Sequence, residues 1–291
     1  MASLTWPIVL AVLFGALLHA AWNALVKAGR DKALDTALLH GIAALIALPL
    51  ALWLGPPERA AWPYLGASVV IHIGYYIALV GAYRNGELGL TYPIMRGCAP
   101  LGVAMASAAF IGEAPSAVAW LGIVGITLGV TLVGLAHPGL LLHHRSQHRK
   151  ALAFAFANAA IIALYTVVDG LGVRLAGDAL RYVLTLFVLD GVAYPLGVWL
   201  RRTPEGRREI VAYARSRWPV AALGGAASIG SYAIALWAMT RAPVASIAAL
   251  RETSVLFAAL LGIWLLDERF GWQRALGTGV IVAGVVALRF G

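Results

Sequence analysis

Two arginines, Arg96 and Arg251, lie within long apolar stretches of this 291-residue chain. A charged side chain in a membrane-spanning segment costs roughly 2.5–3.5 kcal/mol on insertion scales, so each arginine needs a reason to be there. Arginine presents a planar and permanently charged fork of donors that suits a carboxylate. The two side chains are therefore candidates for binding an anionic group or for gating access to it. The structural alternative is that they brace helix ends and extend to the membrane surface.

A stripe of aromatic side chains forms a second group of candidates. His72 and Tyr76 are four residues apart, and Tyr83 follows seven residues later, a spacing that places them along one side of a helix together with Tyr75. Further rings that could join this stripe are Trp22, Tyr165, Tyr232 and Trp237. Such rings favour planar apolar ligands and cations. Tyrosine and tryptophan also anchor helices at the membrane surface, which is the preferred interpretation for Trp6, Trp62, Trp218 and Trp272 near span ends.

Several acids within or near the apolar stretches could carry a coupling proton. The candidates are Asp169 and Glu252, together with Asp190 and His72, because carboxylates and imidazoles exchange protons as their surroundings change. Glu252 directly follows Arg251, so the two side chains point about 100° apart and need not pair.

Two polar residues of the first apolar stretch also face the same way. His19 and Asn23 are four residues apart, which places them on one side of a helix. They are candidates for binding a ligand, and the structural alternative is that they link neighbouring helices.

The sequence lacks the motifs of an intramembrane enzyme. It contains no GxSxG or HExxH motif, and no predicted span carries two acids at helical spacing. His143, His144 and His148 cluster in mid-chain, but no second ligand set accompanies them, so a solvated linker is preferred over a metal site. Cys98 is the only cysteine, which excludes a disulfide scaffold. We expect no cofactor and no bound metal.

Composition places the chain in a membrane. Hydrophobic residues make up 61% of it and charged residues only 12%, with a mean hydropathy of +0.83, whereas a soluble domain carries about 25% charged residues. A spanning helix needs about 20 mainly apolar residues, and strands would show period-two alternation. We therefore predict an all-α integral membrane protein with ten transmembrane helices. The predicted spans are 4–26, 33–54, 64–84, 90–112, 117–136, 150–174, 180–200, 218–240, 244–266 and 270–290.

The distribution of basic residues predicts the orientation. The chain has 22 Lys+Arg, 13 Asp+Glu and a net charge of +9. Fifteen basic residues fall in loops after odd-numbered spans (the odd-loop face) and five on the opposite, even-loop face. The positive-inside rule then puts the odd-loop face in the cytoplasm and both termini outside. We expect these loops to contact lipid headgroups and no nucleic acid. The expected partners are the bilayer and a small-molecule substrate, and we expect the protein to act as a monomer.

The two halves of the chain resemble each other. A Pro-Leu-x-x-Trp-Leu run ends spans 2 and 7. Tyr75 and Tyr232 correspond at an offset of 157, and Arg96 and Arg251 at an offset of 155. Each half has an odd number of spans, so the second half crosses the membrane in the opposite sense, as in the inverted repeats of secondary transporters. We predict a first repeat at 1–137, a basic linker at 138–149 and a second repeat at 150–291.

Prolines and glutamates mark where helices should break or begin. Pro93 and Pro100 flank Arg96 and lack backbone donors, so we predict a break in span 4. Glu113 and Glu268 each precede the last span of their half. A carboxylate there stabilises the positive end of the helix dipole, so we predict that each caps that span.

The last two spans of each half resemble a known family. The first half carries Gly112-Glu113, Trp120-Leu121-Gly122 and Gly129-Val130, and the second carries Asp267-Glu268, Ala275-Leu276-Gly277 and Gly284-Val285. This pattern is similar to the EamA-type repeat of the drug/metabolite transporter superfamily, which has ten helices in two repeats of five. The resemblance implies a central cavity lined by spans 1, 3, 4, 6, 8 and 9, with spans 5 and 10 packed at the back. It also implies export of amino acids or related metabolites from bacteria, and YddG-like aromatic amino acid exporters are one branch.

These features and the resemblance predict a secondary transporter that exports amino acids, aromatic and other neutral ones first, across the bacterial inner membrane by alternating access. Within the same fold, a multidrug or cationic amphiphile exporter and a metabolite uptake permease remain alternatives. An intramembrane enzyme, the alternative from a different class, would need a nucleophile–base pair or metal ligands at mid-depth. A membrane scaffold that transports nothing would need no central polar cavity.

Overall fold

Helices form nearly all of the described part of the chain. The computed structural model describes residues 4–27, 29, 31–85, 88–135, 145–266 and 271–291, and no strand occurs among them. The helices are α1 (Trp6–Lys27), α2 (Lys32–Leu54), α3 (Trp62–Asn85), α4 (Leu88–Ala106), α5 (Ala117–Leu135), α6 (Arg145–Arg174), α7 (Ala179–Leu200), α8 (Pro204–Met239), α9 (Val244–Arg251), α10 (Ser254–Leu266) and α11 (Trp272–Phe290). A 3₁₀ turn, Arg59–Ala61, leads into α3, and a π-helical turn, Ser107–Ile111, extends α4.

Ten segments of the described chain are long and apolar enough to cross a membrane, with α9 and α10 forming one crossing. Large apolar side chains point outward from them, among them Trp53 (80% exposed) and Phe110 (78% exposed). Water would disfavour such a surface, whereas the hydrocarbon core of a bilayer requires it. The predicted all-α fold with ten spans is confirmed.

The loop predicted between spans 7 and 8 is largely helical. Helix α8 begins at Pro204, where the Thr203 hydroxyl accepts a hydrogen bond from Gly206 N at 3.3 Å and proline occupies the first turn. Its 36 residues give a length of about 54 Å, well beyond the hydrocarbon core of about 30 Å. The helix therefore begins before the predicted span, which starts at residue 218, because a strong cap starts the helix before the apolar segment does.

Helix pairing follows the internal repeat. Exchanging the two halves maps α1 onto α6, α2 onto α7, α3 onto α8 and α5 onto α11. Under this exchange the packed pair α1–α8 becomes α6–α3, which is also packed, while α2–α7 and α5–α11 map onto themselves. Halves related by a twofold axis produce this pattern, as expected for two inverted five-helix repeats.

The pair α5–α11 shows the twofold relation at the level of single residues. A Cβ added at Gly129 would lie 2.7 Å from the Gly277 carbonyl oxygen, and one added at Gly277 would lie 2.9 Å from that of Gly129. Gly122 and Gly284 repeat this reciprocal contact, at 2.8 Å in both directions. Glycine therefore lets the two backbones touch, which is how membrane helices without a hydrophobic driving force associate.

The predicted break in span 4 is absent. Helix α4 continues through both Pro93 and Pro100. Neighbouring helices can satisfy or cover the carbonyls that a proline leaves free, so proline does not have to end a membrane helix. The sequence-based prediction was wrong because it considered the helix alone.

A break occurs instead at the corresponding place of the second repeat, between α9 and α10. There the N–H groups of Glu252, Thr253 and Val255 bond to carbonyls three residues earlier, at 3.0–3.1 Å, one residue less than in an α-helix. Glu252, Thr253 and Ser254 are at most 5% exposed. Irregular backbone at membrane depth occurs only where protein surrounds it or a cavity adjoins it.

The glycine contact between α5 and α11 predicts that alanine destabilises the fold at Gly277 but not at Gly279. Gly277→Ala should destabilise the fold by about 1–3 kcal/mol, because its Cβ would meet the backbone of α5. Gly279→Ala, on the same helix, is the matched control because nothing lies within 4 Å of its added Cβ. Thermal unfolding in detergent measures both, and equal midpoints would contradict the close-contact interpretation.

Candidate functional site

An ion pair joins the two repeats at the centre of the bundle. Arg96 Nε of α4 lies 2.8 Å from Glu252 Oε2 at the break between α9 and α10. Both residues are buried, at 7% and 5% exposed. The Arg96 guanidinium also reaches His19 of α1, with Nη2 3.3 Å from Nε2. Arg96 is therefore held by a partner from the other repeat and is not free to extend to the surface.

Arg251 occupies a different environment from its repeat equivalent. Its guanidinium carbon lies over the Tyr232 ring, 5.1 Å from the centroid. Within the described ranges, no carboxylate oxygen lies within 4.0 Å of Arg251. Glu252 is thus paired with Arg96, and Arg251 is the arginine whose donor fork remains open to an anionic group.

A small cavity lies beside these charges. It is lined by residues of α4, α6 and the ninth span, namely Arg96, Ala99, Pro100, Val103, Ile162, Tyr165, Thr166, Ala248, Arg251 and Glu252. Its volume of about 10 Å³ holds about one water molecule. At this volume the cavity has no room for a molecule much larger than water.

The predicted aromatic stripe divides into two groups. His72 stacks on Tyr165 of α6 with centroids 4.5 Å apart, and Tyr75 meets the same ring edge-on at 6.1 Å. Tyr76 points elsewhere: its hydroxyl lies 3.2 Å from His40 Nε2, and its ring lies 4.3 Å from that of Tyr194. Of the stripe, only His72 and Tyr75 therefore contact a ring that lines the cavity, and the side chain of Tyr83 is outside the described residues.

The remaining predicted residues divide in the same way. Trp22 packs edge-on against His19, with ring centroids 5.1 Å apart. Because His19 contacts Arg96, this places Trp22 near the ion pair. Asn23 instead donates to the His19 carbonyl oxygen at 2.8 Å, a contact within its own helix. Trp237 lies near the end of α8 under Arg241, at 4.5 Å, on the even-loop face.

Sequence reasoning missed several polar residues near this site. Asp169 accepts hydrogen bonds from the hydroxyl groups of Tyr182, at 2.8 Å, and of Tyr232. Neither Tyr182 nor the fully buried Ser68 was among the candidates. Ser68 precedes His72 by four residues, which was a usable signal, whereas Tyr182 near a span start looks like a surface anchor. His40 and Tyr194 were missed too, because their partners lie on other helices.

Glu113 does not cap its own span. The cap of α5 is Ser116, whose Oγ accepts from Ala119 N at 3.0 Å. Glu113 instead accepts from Val244 N at 3.0 Å, at the start of α9, and pairs with Arg174 Nη1 at 2.7 Å. The predicted cap of α5 was wrong, because the carboxylate reaches a helix start in the other repeat. Glu268, like His143 and His144, lies outside the described residues.

Two sets of contacts between the repeats therefore close opposite ends of the bundle. The even-loop tie consists of Glu113 with Arg174 and Val244. The odd-loop tie joins Asp35 to Arg217, at 3.4 Å, and to the Tyr213 hydroxyl, at 2.8 Å. Each tie links one repeat to the other, and the charged cavity lies between them.

The ion pair predicts that its two partners depend on each other. Arg96→Met should lower the free energy of unfolding by about 3–5 kcal/mol, because it leaves Glu252 buried without its cation. The double variant Arg96→Met/Glu252→Gln should recover most of this loss. Arg215→Met, at an exposed position of α8, is the control. Thermal unfolding in detergent measures all three, and a double variant no more stable than the single one would refute the pairing.

Comparisons with known proteins agree with this architecture. The sequence model of the EamA-like transporter family matches residues 6–135 and 149–290, one stretch in each half. No curated protein matches. One solved structure, described only as the crystal structure of a protein, aligns with a TM-score of 0.71 over 97% of this chain and 95% of its own. At 18% identity it shows a common fold alone. Since the family match covers both halves of a chain with ten membrane-spanning segments, the protein belongs to the EamA-like transporter family and is a multi-pass membrane transporter.

Proposed function

We propose that this protein is a secondary transporter that exports amino acids, aromatic and other neutral ones first, across the bacterial inner membrane. The observation that carries the proposal is the charge arrangement at the centre of the bundle. Arg251 has no carboxylate partner within the described ranges, and Glu252 beside it is paired with Arg96. A substrate carboxylate would supply the missing negative charge.

The site offers complementary chemistry for the rest of an amino acid. Glu252 provides a negative charge near the arginines for an α-ammonium group. The rings of Tyr165 and Tyr232 adjoin the same charges, since Tyr165 lines the cavity and Tyr232 lies under Arg251. Aromatic faces stabilise planar apolar side chains by stacking. An aromatic or other neutral amino acid therefore matches the residues that surround the cavity.

The two ties support alternating access between inverted repeats. Each is built from a carboxylate of the first repeat and an arginine of the second: Glu113 with Arg174, and Asp35 with Arg217. Both are formed here, and the cavity between them is about 10 Å³, so this conformation is the occluded one. Breaking one tie while the other holds would open the cavity to one face at a time.

The orientation follows from charge. Fifteen basic residues on the odd-loop face favour the cytoplasm, and five lie on the other face. The helical extension of α8 places Arg207, Arg208 and Arg215 on the odd-loop face, where anionic headgroups attract them. In this orientation Asp35 and Arg217 close the cytoplasmic end. The expected state is a monomer in the bilayer.

Three other functions compete with this proposal. A cationic amphiphile exporter would suit the aromatic rings, but Arg251, which no carboxylate contacts among the described residues, disfavours a cation beside it. An uptake permease would use the same site in the opposite direction, which a flux measurement from both sides distinguishes. An intramembrane enzyme would return its substrate chemically changed, whereas a transporter returns it intact.

Transport in proteoliposomes tests the role of Arg251. Wild-type protein should take up labelled phenylalanine, and excess unlabelled phenylalanine should compete, whereas phenethylamine, which lacks the carboxylate, should not. Arg251→Gln should raise the apparent KM more than about tenfold, because a hydrogen bond to a charged group contributes about 1.5–3 kcal/mol.

Arg241→Gln is the matched control, since Arg241 also lies over an aromatic ring, that of Trp237, but is exposed. Its KM should match the wild type. Equal competition by phenethylamine, or an unchanged KM for Arg251→Gln, would remove the carboxylate contact from the mechanism.

Thiol labelling tests the two ties. Ala248→Cys places a reporter in the cavity lining in a Cys98→Ser background, which removes the only native cysteine. Glu113→Gln should speed labelling by a membrane-impermeant reagent from the even-loop face, because it weakens the pair with Arg174.

Asp35→Asn should speed labelling from the odd-loop face, because it weakens the pair with Arg217. Glu205→Gln, at an exposed acid of α8, should change neither rate. The rates are measured in vesicles of both orientations. An increase from both faces in one variant would indicate general loosening and would contradict the assignment of one tie to each end.

A further inference from the structure

A chain of polar side chains links α3, α6 and α7 beside the cavity. Asp190 Oδ2 lies 3.3 Å from His72 Nδ1. The same nitrogen lies 3.3 Å from Ser68 Oγ and 3.0 Å from the Ser68 carbonyl oxygen. The Ser68 side chain also faces Asp169. These four residues (Asp190, His72, Ser68 and Asp169), named here the aspartate–histidine chain, therefore bring two carboxylates, one imidazole and one hydroxyl close together.

The aspartate–histidine chain is enclosed by protein. Asp169 and Ser68 are 0% exposed, and the side chains of His72 and Asp190 are each 12% exposed. Within the described ranges, no basic nitrogen lies within 4.0 Å of Asp169, whose partners are hydroxyl groups. A carboxylate buried without a cation is costly, and uptake of a proton removes its charge.

We propose that the aspartate–histidine chain is a proton-binding site that couples transport to the proton gradient, a proposal that rests on the transport function above. Binding forms one O–H or N–H bond and converts hydronium to water, and release reverses this, so the step needs no other reactant. The residues suit a proton better than a metal ion, because hydroxyl groups donate to Asp169. Among the described residues, no group of three or more metal-ligating side chains occurs.

The position of the chain would allow exchange with both faces. Asp169 lies five residues before the even-loop end of α6, and Asp190 lies midway along α7. Beyond Asp190, Tyr76 with its partner His40, and Tyr194 six residues before the odd-loop end of α7, continue the polar groups towards that face. Polar side chains thus occur along the depth of the bundle, with the two carboxylates and His72 between its ends.

Neighbouring helices contribute the groups that set the charge at this site. The groups facing the chain are Arg251 from α9, His40 from α2, Tyr165 from α6, Tyr75 and Tyr76 from α3, and Tyr182, Tyr194 and Tyr232 from α7 and α8. Arg251 is the only permanent cation among these named groups. A gain or loss of a proton at this site would therefore change its electrostatic interaction with Arg251 directly.

Tyr232 supplies the physical connection to the substrate arginine. Its hydroxyl donates to Asp169, and its ring lies under the Arg251 guanidinium. A protonated Asp169 is a weaker acceptor, so Tyr232 would be released and Arg251 with it. One side chain thus connects proton occupancy to the group proposed to hold the substrate carboxylate.

The test compares two modes of phenylalanine flux in proteoliposomes. In the wild type an imposed pH difference should drive accumulation, and counterflow of labelled against unlabelled phenylalanine should occur without a gradient. Asp169→Asn and Asp190→Asn should lose the accumulation driven by the pH difference but keep counterflow, because exchange needs no net proton movement. Asp178→Asn should keep both, since it alters an exposed acid in the same way and asparagine preserves the α7 cap.

Counterflow without any response to the pH difference in the wild type would overturn the proton site and leave the proposed transport function intact. Absence of any phenylalanine flux would overturn the proposed substrate, and the proton site is then decided by infrared titration of the purified protein. A protonated-carboxyl band that titrates in the wild type and is lost in Asp169→Asn or Asp190→Asn supports the site. A wild type without such a band, or variants that retain it, would overturn it.

Discussion

The ion pair between Arg96 and Glu252 is the interaction on which the centre of the molecule depends. A charge buried at membrane depth must be compensated, and these two residues compensate each other from opposite repeats. The pair needs the tightened turn at Glu252, where the ninth span stops being an α-helix. It also fixes α4 against the ninth span, so the halves meet at a charged contact while α5 and α11 meet at a glycine contact. Arg96 and Glu252 line the cavity, whereas the glycine contact does not.

Features set by local sequence were predictable, and those set by distant partners were not. The ten spans follow from apolar length, and the matched offsets of Arg96 and Arg251 reveal the repeat in the sequence itself. The break in span 4 was wrong because its neighbours determine whether Pro93 can stay in a helix. The carboxylate that accepts a hydrogen bond from the first N–H of α9 belongs to Glu113, 131 residues away. Spacing along one helix cannot reveal such a partner. The grouping of the candidate site residues depends on which neighbour each one faces, as for Tyr76, which contacts His40 and Tyr194.

The two ties differ in the groups that they bind: one includes backbone groups at helix ends, and the other joins side chains. At the even-loop end, Glu113 bonds a backbone N–H, and Arg174 donates to the Met239 carbonyl oxygen at 2.8 Å, so the tie also completes helix ends. At the odd-loop end, Asp35 is bound by the side chains of Tyr213 and Arg217. Breaking the first tie exposes backbone groups as well as charges, whereas breaking the second exposes side chains alone.

The departure from repeat symmetry, more than the symmetry itself, leaves Arg251 without a carboxylate in contact among the described residues. A fully symmetric protein would pair each arginine with a glutamate. The residue equivalent to Glu252 is Gly97, whose added Cβ would lie 2.8 Å from Thr131 Oγ1 of α5. The close approach of α4 to Thr131 of α5 thus disfavours an acid there, and a second glutamate that could pair with Arg251 is absent. The packing of the first repeat in this way affects the surroundings of Arg251, and under the function proposed above a substrate carboxylate would complete the pairing.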